Sequence, residues 1–187
     1  MTIESANTGI DEALLTSFEA RLGQLPEDYR RFVLKNNGIV LFGCPVFAVP
    51  SADGVQYWGI VELCGVPDAA GVEDVDLYED FWGWPYPKDS IPVATDGCGN
   101  TYLMALSGAR RGNIFFFDHE TCEAGESIND LEHLLPSFDS LFAGIRDYEP
   151  NSPESERLFH TLQERKKKND EAFRQILEPS KPWWRFW

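Results

Sequence analysis

The sequence predicts an α+β domain, a mainly antiparallel twisted sheet of about six strands packed with N-terminal, middle and C-terminal helices. Three observations carry this. Apolar residues recur at helical spacing near the start, in the middle and late in the chain. Between them stand short apolar runs bounded by Gly and Pro, the pattern of strands. The chain has 187 residues, 43% hydrophobic and 25% charged, enough for one substantial core. The expected organisation is a domain over 1–148 followed by a helical extension over 149–187.

The elements follow in order. Residues 10–22 place Ile10, Leu14, Phe18 and Leu22 four apart, with Thr8 to cap the start and Gly23 to end an amphipathic helix. LPEDYRRFVLKNNG, 25–38, puts Pro26 at a first helical position and Glu27 and Asp28 in the first turn; Gly38 closes the helix. Strands are expected at 39–42, 46–49 and 57–63, where Gly and Pro punctuate apolar runs. In 68–84, Val72, Val75, Tyr78, Phe81 and Trp82 make a narrow helical stripe whose other face is nearly all carboxylate. Three more strands are expected at 91–94, 100–106 and 113–118. Their continuous apolar runs imply burial on both faces, and the glycines of DGCG and SGARRG suit positive φ in the turns. Residues 137–146 carry Phe138, Leu141, Phe142 and Ile145 at helical spacing. Beyond them, Ser152 and Pro153 open a polar helix that stops at Pro179, and the chain finishes in KPWWRFW.

Net charge narrows the partners. It is −15, from 31 acids against 16 Lys plus Arg. Charge of that sign opposes phosphate backbones, so direct nucleic-acid binding is not expected, while a basic protein is drawn in by the same field. No stretch approaches the roughly 18 to 20 apolar residues of a membrane span, and MTIESANTGIDEALL lacks a basic region followed by an apolar run. Cys44, Cys64, Cys98 and Cys122 form no C-x-x-C pair. Reduced thiols in a cytoplasmic protein that does not bind membranes are the expectation.

Little in the sequence points to chemistry. Asp118, His119, Glu120 and Cys122 are the nearest approach to a metal set, but a strand end hydrogen-bonded into a turn accounts for them. Cys98 in DGCGN has an exposed, glycine-flanked setting without an assigned base. Gly97 and Gly99 match neither phosphate-loop pattern. No catalytic residue, metal or cofactor is therefore expected. Acid is nonetheless concentrated: residues 60–100 hold nine carboxylates against Lys88 alone. Aromatic residues are interleaved with them, a composition expected of protein interfaces. The candidate partner-binding residues are Glu73, Asp74, Asp76, Glu79, Asp80, Trp84, Tyr86 and Asp96.

Four stretches together resemble the SUKH superfamily of fungal Smi/Knr regulators and bacterial immunity proteins. They are the leading helix ending in LG, the LPEDYRRFVLKNNG block, IPVATDGCGNTYLMAL, and NIFFFDHE followed by SFDSLF; they span roughly residues 10–146. The resemblance implies an α+β domain used for protein binding, in bacteria most often to neutralise a cognate polymorphic toxin, frequently a nuclease. A basic nuclease groove would accept an acidic surface in place of its substrate. The fungal relatives imply an alternative, a regulatory or adaptor protein that scaffolds others. The family's minimal domain lacks the extension, whose role stays open among self-association, docking on its own sheet and toxin contact.

Overall fold

The computed structural model describes residues 2–43, 45–52, 54–66, 86–122 and 127–147, with residues 2–5 as backbone alone. The chain divides into two units, Met1–Tyr148 and Glu149–Trp187, and the described residues belong to the first. The helices expected over 68–84 and beyond Ser152 lie outside them.

In chain order the elements are β1 (Thr2–Ala6), α1 (Glu12–Leu22), α2 (Glu27–Lys35), β2 (Ile39–Phe42), β3 (Pro45–Ser51), β4 (Gly54–Gly59), β5 (Glu62–Leu63), β6 (Ser90–Thr95), β7 (Thr101–Ala105), β8 (Ile114–Phe117), β9 (Glu132–Leu135), α3 (Phe138–Gly144) and β10 (Arg146–Asp147). They form an α+β fold. A seven-stranded sheet runs β1-β2-β5-β6-β7-β8-β9, and a three-stranded sheet runs β10-β3-β4. Every pairing among the described residues is antiparallel.

The helices sit where the spacing predicts, with shifted ends. Asp11, not Thr8, caps α1, accepting the Ala13 amide at 2.8 Å. Just ahead of the helix, the Ile10 amide donates to the Val33 carbonyl and ties the chain to α2. Gly23, at φ 96°, ends α1 as expected. Pro26 is the cap of α2 and not its first residue, and Asn36 closes that helix two residues before Gly38.

The strands diverge more. The run 57–63 is broken: Ile60 donates to Pro45 of the small sheet and Val61 donates to Thr95 of the large one, so consecutive amides serve different sheets. That switch puts the 46–49 run and Tyr57–Gly59 in the second sheet, while β1 and β9 extend the first.

One row of directly opposed residues runs Ile39, Leu63, Ala94, Tyr102 and Phe116 across the large sheet. Side chains opposite one another share a face, and the next row along the strands faces the other way. This first face packs against α1 and α2 through Leu15, Phe18, Tyr29 and Val33, and against the small sheet through Phe47 and Trp58. Phe47 meets Tyr102 edge-on at 5.1 Å, and Trp58 meets Phe116 at 4.6 Å. Phe138 of α3 completes the cluster against Tyr29 and Phe32.

Candidate functional site

The DGCGN turn joins β6 to β7. The Asp96 carboxylate accepts the amides of Cys98 at 2.7 Å and Asn100 at 3.1 Å, and its second oxygen accepts from Asn100 Nδ2 at 2.7 Å. Gly97 and Gly99 adopt φ of 75° and 98°, which a side chain would resist. Asn100 Oδ1 in turn accepts the His119 amide and lies 2.9 Å from His119 Nδ1. With that oxygen already an acceptor, Nδ1 is the protonated nitrogen in this arrangement. A Cβ on Gly99 would fall 2.9 Å from His119 Cε1, so the ring lies directly over the turn. Asp96, expected to face a partner, devotes both oxygens to holding this loop.

The strand end beyond β8 closes as a turn as well. Asp118 accepts the Glu120 amide through its carboxylate and those of Thr121 and Cys122 through its carbonyl. Cys64 and Cys98 are free thiols. Burial, followed by the nearby Glu62 carboxylate, pushes the Cys64 thiol up and favours its protonated form.

Six of the candidate partner-binding residues, Glu73, Asp74, Asp76, Glu79, Asp80 and Trp84, lie outside the described residues. The residues flanking that segment are described, and both sides are fastened. On the entry side, the Asn37 side chain donates to the Val66 carbonyl and accepts the Val66 amide, each at 2.8 Å. A Cβ on Gly65 would meet Asn37 Oδ1 at 2.4 Å, so only glycine passes there. On the exit side stands Tyr86. It is 7% exposed, its ring packs edge-on against Phe117 at 5.0 Å, and its hydroxyl meets Thr101 Oγ1 at 2.9 Å. Tyr86, a candidate partner-binding residue, is thus an anchor buried within the fold.

Tyr86 belongs to the second face of the large sheet, whose row runs Val40, Glu62, Thr95, Thr101 and Phe117. Burial changes along it. Thr101 is 3% and Phe117 2% exposed beneath Tyr86, Ile128 and Leu131, whereas Val40 is 37% exposed at the far end. Phe42, two residues along β2 on the same face, is 61% exposed and Val61 is 36% exposed. Nothing in the sequence singles out these three apolar residues as exposed. IVLF reads simply as a buried run, although its length of four between Gly38 and Gly43 fits a short strand near a sheet edge.

A concavity of about 610 Å³ opens between α2 and α3. Phe32, Phe138 and Phe142 floor it, and Asp28, Arg31, Lys35 and Asp139 rim it. Arg31 pairs with Asp139 at 2.9 Å, and both side chains are more than half exposed, so the pair adds little stability. Asp28 accepts the Asp139 amide at 3.0 Å and so ties the start of α3 to α2.

A family model described as SMI1 / KNR4 family (SUKH-1) matches residues 9–144. The chain belongs to the SMI1 / KNR4 family, SUKH-1. No curated protein matches it. The SUKH-1 match takes in both anchors of the acidic segment, the DGCGN turn and the second sheet face. Among the described residues, no helix is long and apolar enough to cross a membrane.

Proposed function

We propose that this SUKH-1 protein acts by binding, not catalysis, as a bacterial immunity protein that neutralises a cognate toxin, a basic protein such as a nuclease. The observation that carries the reading is the family match over residues 9–144, which points to a protein partner. The −15 charge supplies the partner's sign, since attraction of opposite surfaces speeds encounter and like charge rejects wrong partners. The acid-rich segment 67–85 supports it further, because its flanks are pinned by Asn37 and by the Tyr86–Thr101 contact. Binding energy is then not diverted into ordering the neighbouring backbone. The compartment that fits such a role is the cytoplasm.

The alternative is a Smi/Knr-like adaptor, favoured by the same family match. Pull-down of the tagged protein from its native cells, with mass spectrometry and a salt series, separates the two. A single basic toxin-like protein released by salt supports immunity, and co-expression should then protect cells from it. Several signalling proteins, or none, would move the assignment to the adaptor.

A further inference from the structure

The second face of the large sheet is unevenly covered, and the uncovered part has a definite composition. Val40 stands directly opposite Glu62 in the β2–β5 pairing. The Leu41 amide donates to the Val61 carbonyl at 2.9 Å, which places Val61 beside the same strand. A Cβ on Gly97 would lie 3.1 Å from both Val61 methyl carbons, so Val61 also borders the turn that carries Asp96. Val40 and Phe42 therefore share an exposed apolar strip beside the Glu62 carboxylate, with exposed Val61 next to the same strand.

Resting on the reading of a basic protein partner, we propose that this strip seats a basic segment of that partner, with an apolar side chain inserted against Phe42. Charge complementarity chooses this occupant. The row through Val40 contains an acid and no base, and the strip faces the field of a chain with net charge −15. A second copy of the same chain would bring two such fields together and would be repelled. The α2–α3 concavity lacks this preference, because its rim balances Asp28 and Asp139 against Arg31 and Lys35. An exposed aromatic is also the kind of residue on which binding energy concentrates.

The test uses isotope-labelled full-length protein and two synthetic peptides with identical Leu and Phe positions, one interspersed with Lys and Arg, the other with Asp and Glu. The basic peptide is expected to shift the amides of 40–42, 61–62 and 95–97, and salt should reverse the shifts. Phe42→Ser should weaken binding about tenfold, while Phe42→Leu keeps most of it. Shifts confined to 28–35 and 138–142 would overturn the placement while leaving the basic-partner reading intact. Equal binding of both peptides, or no binding of the basic one, would overturn both. A dimer seen by sedimentation and abolished by Phe42→Ser would assign the strip to a second copy instead.

Discussion

The two faces of the seven-stranded sheet share every strand and every pairing, yet they are covered unequally. On the first, Ile39, Leu63, Ala94 and Tyr102 are buried and Phe116 partly so, because α1, α2 and the small sheet lie over this row. On the second, burial depends on Tyr86, Ile128 and Leu131, which reach Thr101 and Phe117 but not Val40. Strand register therefore fixes which side chains face which way, while the connections decide which of those positions stay available. The first face is where stability is concentrated, and the second is where a partner has room.

The largest expected effect is on the first face. Phe47 is fully buried against Tyr102, so Phe47→Ala should cost about 3 to 5 kcal/mol in urea unfolding, through lost transfer energy and the cavity left behind. A loss below about 1 kcal/mol would mean that the small sheet does not act as a lid. On the second face, Tyr86→Phe should cost about 1 to 3 kcal/mol by taking away the hydroxyl that meets Thr101. If recognition depends on that anchor, binding should weaken more than folding does.

The same contrast explains what could be seen in the sequence. Helical spacing found α1, α2 and α3, and unbroken apolar runs found β6, β7 and β8, because local pattern and burial agree there. Their burial on both faces followed from composition alone. β1, TIESA, alternates too weakly to stand out, and the sheet switch at Ile60–Val61 depends on partners far away in sequence. The candidate site was legible in its chemistry and less so in its geometry. Asp96 could be placed in a turn, but three hydrogen bonds to one carboxylate become visible only once the loop is closed. The sequence leaves exposure and burial of Tyr86 both open, because Thr101, which meets its hydroxyl, is fifteen residues away.

Alkaline pH should probe the covered side next. Burial is the main cause raising the Cys64, Tyr29 and Tyr86 groups in the folded protein. A group raised on folding contributes its full stability below its unfolded value and loses it as pH climbs from there toward the folded value. Stability should therefore hold through neutral pH and decline above the ordinary Cys value of 9.0, then more steeply above the ordinary Tyr value of 10.0. For the half-buried Cys64 the loss is at most about 1.4 kcal/mol at pH 10. Thermal melts of Cys64→Ala should delay the first decline by about one pH unit. An unchanged onset would assign alkaline loss to the tyrosines alone.

The smallest effect on folding is expected where the effect on recognition is largest. Glu62 is exposed and opposite Val40, so Glu62→Lys should leave stability within about 0.5 kcal/mol. Association with a basic partner should nevertheless slow, and its salt dependence should flatten. Asp96 is unsuitable for this comparison because replacing it would also release the DGCGN turn. The informative control is Glu79→Lys with Asp80→Lys, in the segment between the two anchors. Equal slowing by both changes would mean that the segment and the sheet face present one continuous acidic field. Slowing by the segment alone would place recognition on 67–85 and leave Val40, Phe42 and Val61 outside it.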